Sequence, residues 1–262
     1  MKPLASMPDA TRRAIRGVLT DIDETVSTHG RLTAEAYTAM ERLHRAGKLV
    51  IPITGRPAGW CDHIARFWPV DAVVGENGAL YMRYDPAAHK LVRRFLDDEP
   101  TRLRHRERLT AIADRILAAV PGSALASDQR YREADVAIDF CEDVPPLDRS
   151  SIDRIVTMME AEGMTAKVSS IHVNGWFGTY DKLTMTKHLL HEVFAIDVDA
   201  DRADFVFVGD SANDAPMYAF FPHAVGVANV RQFADRIPSL PAYVTRAESG
   251  AGFAEVANFL LA

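Results

Sequence analysis

The chain has 262 residues, 48% apolar and 25% charged, which is enough for one large globular domain or two small ones. It has no run of about 18 apolar residues to span a membrane, and its N-terminal segment is too polar for a secretory signal. The net charge of -6 argues against general nucleic-acid binding, which draws on Lys and Arg. Cys61 and Cys141 lie outside any metal-binding pattern, which indicates free thiols and a cytoplasmic protein.

The first part of the chain alternates short apolar runs with helical patterns. The predicted elements are a strand over 14–23, a helix over 32–47, a strand over 48–55, a helix over 57–68 and a strand over 71–80. This alternation is typical of the α/β class. It predicts a Rossmann-like core, in which helices cover both faces of a parallel sheet.

The middle of the chain is richer in Arg, Asp and Glu, and its strands alternate in polarity. The predicted elements are a strand over 90–95, a helix over 101–120, strands over 124–127 and 135–140, a helix over 150–163, and strands over 166–170 and 171–177. This pattern predicts a sheet that helices cover on one face. The alternation of helices and fully apolar strands then returns, with a helix over 184–196 and a strand over 204–210. We therefore expect a core of residues 1–84 and 179–262, interrupted by an inserted α+β domain over 85–178.

Two acids follow the first predicted strand. Asp21 and Asp23 flank one residue at the point where the chain leaves the strand, and ligands bind at this end of a parallel sheet. Two carboxylates so close repel unless a cation or a proton lies between them, and magnesium takes oxygen ligands and shares itself with a phosphate. A solvated pair of turn residues is the alternative.

A second polar cluster follows the later apolar strand over 204–210. It consists of Asp210, Ser211, Asn213 and Asp214, preceded by a glycine that lets the backbone turn sharply. A helix N-cap explains one of these residues but not all of them. Acids and amides therefore again lie at the end of a predicted strand.

Two further positions suit a phosphate group. Thr54 and Gly55, which precede Arg56 after the second strand, offer a hydroxyl and free backbone N–H groups. Lys182 begins a predicted helix, where its charge and the helix N-terminus both favour an anion. Lys187 lies about 140° round that helix, so both lysines cannot face one pocket. A strand-end threonine and a helix-start lysine are also common as structural and surface residues.

The order of these motifs resembles the haloacid dehalogenase (HAD) superfamily. The pattern is DxDxT after strand one, TGR after strand two, a lysine after the insertion and GDxxND after a later strand. It is most similar to subfamily IIB, the Cof-like or sugar-phosphatase-like group, whose large α/β cap lies between the second and third motifs. The resemblance extends from about Ile15 to the C-terminus and includes the ENGA segment that contains Glu76 and Asn77.

The resemblance implies a role for each matching residue. Asp21 is expected to be the nucleophile and Asp23 the general acid and base, and both are expected to hold Mg²⁺ with Asp210, Asp23 through its backbone carbonyl. Thr54, Gly55 and Lys182 are expected to bind phosphate. Ser211, Asn213 and Asp214 are expected to support the metal site or Lys182. Glu24 and Leu183 stand where the family more often has glycine, which affects the local turns.

The implied activity is a magnesium-dependent phosphomonoester hydrolase that acts on a sugar phosphate or similar small metabolite. We expect no nucleic-acid or membrane partner, and either a monomer or a homodimer. Candidate substrate contacts are Arg56, Glu76, Asn77, Arg130, Arg132, His172, Asn174 and Trp176. A phosphomutase of the same fold and a non-catalytic phosphometabolite-binding protein remain alternatives, as do other hard divalent cations.

Overall fold

The fold was analysed in a computed structural model that describes all residues 1–262. The helices are α1 (Asp9–Ala14), α2 (Ala34–Arg45), α3 (Ala58–Phe67), α4 (Glu99–Ala119), α5 (Arg149–Ala161), α6 (Lys182–Phe194), α7 (Val198–Asp201), α8 (Ala215–Phe220) and α9 (Ser249–Leu260). No helix combines the length and the apolar character needed to cross a bilayer.

Fifteen strands form four sheets. The strands are β1 (Lys2–Pro3), β2 (Gly17–Thr20), β3 (Ser27–Thr28), β4 (Arg31–Leu32), β5 (Leu49–Pro52), β6 (Val73–Gly75), β7 (Leu80–Asp85), β8 (Lys90–Phe95), β9 (Ala124–Leu125), β10 (Asp135–Asp139), β11 (Thr165–Val168), β12 (His172–Trp176), β13 (Phe205–Gly209), β14 (Val225–Gly226) and β15 (Tyr243–Val244). The predicted strands are therefore present. Most are shorter than predicted, whereas β8 has the predicted bounds and β11 begins one residue earlier.

The central sheet is six-stranded and parallel throughout, in the order β1-β15-β14-β13-β2-β5. Apart from the exposed edge strand β1, its strands are buried on both faces. Val18 and Val206 pack with α2 and α9 on one face, while Leu19 and Phe207 pack with α6 and α8 on the other. Continuous apolar strands are what a sheet covered on both sides requires, so the predicted α/β core is confirmed.

A second sheet, β6-β7-β8, is antiparallel and extends the core beyond β5. A bridge from Ile53 to Val74 joins the two sheets, and α3 packs on β6, β7 and β8. The domain boundary expected at residue 85 falls inside the β7–β8 hairpin. We therefore propose that the hairpin belongs to the core and that the inserted unit runs from α4 to β12, here called the insert.

The insert contains a four-stranded antiparallel sheet, in the order β11-β12-β10-β9. Helices α4 and α5 pack on one face, against Val136, Ile138 and Val173. Alternation along the strands sends their neighbours to the opposite face, where His172 and Asn174 lie buried. The predicted one-sided cover is confirmed, and it leaves a polar face directed toward the core.

Candidate active site

The site begins where β2 and β13 end side by side in the parallel sheet. Thr20 pairs with Val208, and the backbone N–H of Asp21 donates to the carbonyl of Val208 at 2.8 Å. Asp21 and Asp210 therefore leave the sheet at the same edge from adjacent strands. A side chain at Gly209, between Val208 and Asp210, would lie 2.4 Å from Oδ2 of Asp214, so only glycine allows this close turn.

Three carboxylates cluster at this edge. One oxygen each from Asp21, Asp210 and Asp214 lies within 4.8 Å of the others, and all three residues are buried. Burial raises the pKa of Asp21 to about 7, against the lowering effect of Lys182, and the neighbouring acids add to the rise. Burial, then Asp21 and Asp214, raise the pKa of Asp210 well above its ordinary value. These buried carboxylates therefore require positive charge nearby to balance their repulsion.

Lys182 supplies one positive charge to this cluster. It is the first residue of α6, which begins after Asp181, whose carboxylate accepts from the N–H of Thr184 at 2.8 Å. Its Nζ donates to Oδ1 of Asp21 at 2.6 Å and to Oδ1 of Asp214 at 2.7 Å. Burial alone would lower the pKa of Lys182, but the two acids raise it. The lysine is therefore charged and immobilised.

Lys187 points elsewhere, as the helical spacing predicts. Its Nζ lies on the surface, 2.5 Å from Oδ1 of Asp199.

Asp214 supports the site through hydrogen bonds to both of its carboxylate oxygens. While Oδ1 accepts from Lys182, Oδ2 accepts from the backbone N–H groups of Asp210 at 3.1 Å and Ser211 at 3.3 Å. The hydroxyl of Ser211 donates to Oδ1 of Asn213 at 2.8 Å. Both oxygens of Asp214 are thus committed to the lysine and to the turn after β13.

The acidic cluster suits a hard divalent cation. Oδ2 of Asp21 accepts no hydrogen bond from the protein, and the oxygens of Asp210 accept only at 3.3 Å from Asn229 and 3.4 Å from Thr25. All available donors are oxygens, which Mg²⁺ prefers, and a cation would relieve the repulsion between buried acids. Asp21 and Asp210 are therefore the side chains best placed to hold a metal.

The loop after β5 lies beside the acids. Thr54 is fully buried, and its Oγ1 accepts from the N–H of Arg56 at 3.0 Å but donates to no protein acceptor. Asn77 is also buried, with its Nδ2 unpartnered, and its amide would lie 3.1 Å from a side chain at Gly55. Two side-chain donors thus remain free around Gly55.

Glu24 adopts a backbone conformation that favours glycine, with φ 53°. Its carboxylate accepts from the N–H of Gly30 at 3.3 Å and from the hydroxyl of Ser249 at 3.2 Å, and its carbonyl accepts from Asn229 at 2.9 Å. These contacts offset the strain at the departure noted in the sequence. The other departure, Leu183, packs against the apolar cluster beneath the sheet.

Glu76 does not face a substrate cavity, contrary to the expectation from the sequence. Its side chain is fully buried, and Oε1 accepts from the N–H groups of Ala58 and Glu133 at 2.8 and 2.9 Å. Oε2 accepts from the N–H of Ala134 at 2.6 Å. Because Ala58 begins α3 and Glu133 and Ala134 lie in the insert, Glu76 fastens the core to the insert.

Arg132 is likewise committed to the protein rather than to a substrate. Its side chain is inaccessible and forms ion pairs with Asp128 at 3.1 Å and Asp135 at 3.0 Å. Nη1 also donates to the carbonyl of Gly55 at 2.8 Å. This arginine is neutralised inside the insert, and it provides a second tie to the core.

Trp176 and Arg130 also lie outside the site, in opposite directions. Trp176 is buried, stacks on Tyr180 at 5.5 Å and donates through Nε1 to the carbonyl of Tyr180 at 3.2 Å. Arg130 is exposed, donates to the hydroxyl of Tyr131 and lines a separate cavity of about 190 Å³ in the insert. Neither side chain reaches the acidic cluster.

Two other predicted substrate contacts do lie near the acidic cluster. His172 and Asn174 project from the polar face of the insert and line a small cavity beside Asp21 and Asp23. The cavity measures about 10 Å³, which is room for about one water molecule. The insert therefore lies closed over the carboxyl edge of the central sheet.

Arg56 joins the core to the insert across this cavity. Its Nε donates to both oxygens of Asp23, at 2.9 and 3.1 Å, and Nη2 donates to Oε1 of Glu142 at 2.6 Å. Sequence reasoning missed Glu142, which lies in a polar turn without a recognisable motif. It also missed Asn229, although this amide follows the apolar β14 in the same way that the acids follow β2 and β13.

Comparisons with known proteins agree with this architecture. No protein-family model matches the chain, and no curated protein matches it by sequence. A solved structure from Thermoplasma acidophilum is similar with a TM-score of 0.71 and 18% identity, covering 94% of this chain and 98% of that one.

Two further similar solved structures are described as a hydrolase and a phosphatase. A HAD/COF-like hydrolase from Plasmodium vivax matches with a TM-score of 0.66 and 17% identity, over 95% of this chain and 96% of that one. The sucrose-phosphatase of Synechocystis, solved with sucrose and phosphate, matches with a TM-score of 0.64 and 18% identity, over 94% and 98%. The chain therefore shares the fold of these HAD/COF-like and sucrose-phosphatase structures.

Proposed function

We propose that this protein is a magnesium-dependent phosphomonoester hydrolase in which Asp21 attacks the phosphorus and forms an aspartyl-phosphate. The observation that carries the proposal is the state of the Asp21 carboxylate. Oδ1 is held by Lys182 at 2.6 Å, while Oδ2 accepts nothing from the protein, and the residue belongs to the acidic cluster with Asp210. A buried carboxylate fixed at one oxygen and free at the other is oriented for use as a nucleophile or a metal ligand.

Charge repulsion is the first obstacle to this reaction, because a carboxylate and a phosphate dianion are both negative. Lys182 is charged and fixed beside Asp21, so it offsets part of the repulsion. Asp21 and Asp210 would hold a Mg²⁺ ion, which would supply further positive charge to offset that of the phosphate. Lys182 also keeps the attacking side chain in a single orientation.

Asp23 is proposed to move the protons. As Asp21 bonds to phosphorus and the ester P–O bond breaks, Asp23 gives its proton to the departing oxygen. It then takes a proton from the water that hydrolyses the aspartyl-phosphate. The position of Asp23 supports this role, because it lines the same small cavity as Asp21 and its side chain is 18% exposed.

The loop after β5 is proposed to hold the transferred group. The free hydroxyl hydrogen of Thr54 and the backbone of Gly55 lie next to the acidic edge, in a loop fixed by the N–H of Arg56. Hydrogen-bond donors fixed in place before the substrate arrives stabilise negative charge without reorganisation. Asn77, with its free amide donor, is a further candidate contact behind Gly55.

The insert is proposed to act as the cap that selects the leaving group and excludes water. Its polar face contributes His172, Asn174 and the serines Ser169 and Ser170 to the cavity. Since the closed cavity has room for about one water, the insert must swing away to admit a substrate. Hydroxyl and amide groups suit a polyhydroxylated leaving group, and the similar sucrose-phosphatase supports a sugar phosphate.

The test is a phosphate-release screen over a broad panel of phosphomonoesters, with and without Mg²⁺. We expect hydrolysis that depends on Mg²⁺, and acid quenching during turnover should trap a phosphoenzyme in the wild type but not in Asp21→Asn. Asp143→Asn, which removes an exposed carboxylate without an ion pair, is the matched control. Phosphate recovered on an isomerised product would favour a mutase, and inactivity across the panel would favour a binding protein.

A further inference from the structure

The guanidinium of Arg56 lies between the proposed acid of the core and a carboxylate of the insert. On one side, Nε and Nη2 contact the carboxylate of Asp23 at 2.8 to 3.1 Å. On the other, Nη2 and Nη1 donate to the two oxygens of Glu142 at 2.6 and 3.2 Å. The arginine side chain is only 5% exposed. The buried guanidinium therefore bridges Asp23 to Glu142, whose side chain is 27% exposed.

The remaining sides of this guanidinium are also occupied. Nη1 lies 3.4 Å from Oδ2 of Asp128, and the guanidinium carbon lies 4.5 Å from the centre of the Trp60 ring. Asp23 and Trp60 belong to the core, whereas Asp128 and Glu142 belong to the insert. The full set of contacts on Arg56 exists only while the insert is closed, so the arginine changes its surroundings whenever the insert opens.

Glu142 is presented to Arg56 by a loop of fixed shape. The carboxylate of Asp139, at the end of β10, accepts from the backbone N–H groups of Cys141, Glu142 and Asp143 at 2.8 to 2.9 Å. Nε2 of His172 lies 2.9 Å from Oε2 of Glu142, without the alignment of a hydrogen bond.

Glu142 is also ionised at neutral pH. Partial burial would raise its pKa, but His172 and Arg56 outweigh that effect and lower the pKa to about 2. A rigid loop and a fixed negative charge together make Glu142 suited to positioning another group.

We propose that Glu142 is a positioning residue: in the closed protein it holds Arg56, and Arg56 in turn fixes the carboxyl plane of Asp23. This inference rests on the proposed function, in which Asp23 passes its proton to the leaving oxygen as Asp21 bonds to phosphorus. A guanidinium only donates hydrogen bonds. When one oxygen of Asp23 carries the proton, the other can still accept from Arg56, so the O–H stays directed into the cavity.

In this proposal the closed insert both covers the site and orients the carboxyl of Asp23 for proton transfer. Without Glu142, Arg56 would keep Asp23 and Asp128 as partners but would lose its shortest contact. The carboxyl of Asp23 would then sample more orientations, and proton transfer to the leaving oxygen would slow. The loss should grow with the basicity of the leaving group, because a weakly basic oxygen departs without a proton.

The test compares phenyl phosphate with p-nitrophenyl phosphate, two esters of similar size whose leaving groups differ in basicity. The value of kcat/KM reports the steps up to departure of the leaving group, so hydrolysis of the phosphoenzyme does not enter. For Glu142→Gln we expect kcat/KM to fall about tenfold more for phenyl phosphate than for p-nitrophenyl phosphate. Glu142→Asp, which retains a carboxylate, should restore most of that difference.

The control is Asp143→Asn, which removes the same charge from the next residue and should affect the two esters equally. An equal loss on both esters for Glu142→Gln, or no loss at all, overturns the positioning role while leaving the proposed function intact. A wild type that releases no phosphate from either ester with Mg²⁺ and traps no phosphoenzyme rejects the proposed function itself, and the inference with it. Thermal unfolding of each variant identifies any that fail to fold.

Discussion

Lys182 and Asp21 are separated by 161 positions in the chain, yet Nζ of the lysine donates to Oδ1 of the aspartate at 2.6 Å. The two residues come from the start of α6 and the end of β2, on opposite sides of the insert in sequence. Their contact orients the carboxylate proposed to attack the phosphate.

Replacing the proposed nucleophile should abolish turnover while keeping the fold. In Asp21→Asn the side chain retains its size, but an amide cannot form the covalent intermediate, so we expect phosphate release to fall by about 10⁴-fold or more. Steady-state phosphate release measures the loss, and circular dichroism checks the fold. Hydrolysis within about tenfold of the wild type would remove Asp21 from the nucleophile role.

Removing the cation from the acidic cluster should make stability depend on pH. Burial raises the pKa of Asp21 from 3.8 to about 7, so between these values the folded protein holds a proton that the unfolded chain releases. Without Mg²⁺, stability should therefore fall as the pH rises through that window. Because Mg²⁺ binds the deprotonated acids, it should raise the Tm more at about pH 8 than at about pH 5.

Differential scanning calorimetry with EDTA or Mg²⁺ measures this effect. Asp210→Asn, which removes one of the mutually repelling acids, should be more stable than the wild type in EDTA and should lose most of the Mg²⁺-dependent rise. An equal rise in Tm at both pH values would argue against a cation in the cluster.

The two lysines of α6 should differ in what they contribute to stability. Lys182→Ala removes the charge that balances buried Asp21 and Asp214, and we expect a loss of about 3–5 kcal/mol. Lys187→Ala breaks a surface pair with Asp199 and a cation–π contact with Phe220, with an expected loss of about 0.5–2 kcal/mol. Urea unfolding of both variants in EDTA gives the comparison, and equal losses would contradict it.

Glu76 should stabilise the junction between the core and the insert. In Glu76→Gln an NH₂ group replaces one carboxylate oxygen, and it cannot accept hydrogen bonds from the backbone N–H groups that the carboxylate now binds. We therefore expect the free energy of unfolding to fall by about 1–3 kcal/mol. Glu160→Gln, on the exposed face of α5, is the control and should change stability by less than about 0.5 kcal/mol. Chemical unfolding measures both variants, and an unchanged Glu76→Gln would mean that these bonds contribute little.

The sequence was informative where a local pattern determines position. Asp21 and Asp210 follow apolar runs directly, and parallel strands present their carboxyl ends at one edge, so their proximity could be predicted from short segments. Helical spacing excludes a shared pocket for Lys182 and Lys187, and the position of Lys182 at the helix start favours it as the anion ligand. The polar face formed by His172 and Asn174 followed from the alternation of side chains along a strand.

The remaining features depend on how distant segments dock. Glu142 reaches Arg56 only because the insert closes on the core, and nothing in its own turn indicates that contact. Arg132 and Trp176 are residue types that suit binding, and the sequence predicts them as substrate contacts. In the structure Arg132 donates to Gly55 across the insert boundary, and Trp176 donates to nearby Tyr180. Strand β8 falls inside the predicted inserted domain over 85–178, and the proposal that it belongs to the core rests on its pairing with β7, which leaves no mark in its own composition.

The strand order also determines when the protein can fold during its synthesis. Strand β2 needs β13 as its neighbour, so the centre of the main sheet stays incomplete until residues 205–209 have been made. The insert has its own apolar cluster, built from residues made earlier and close together in the chain. Since contacts between nearby residues form faster than distant ones, the insert should collapse on the ribosome before the core around it.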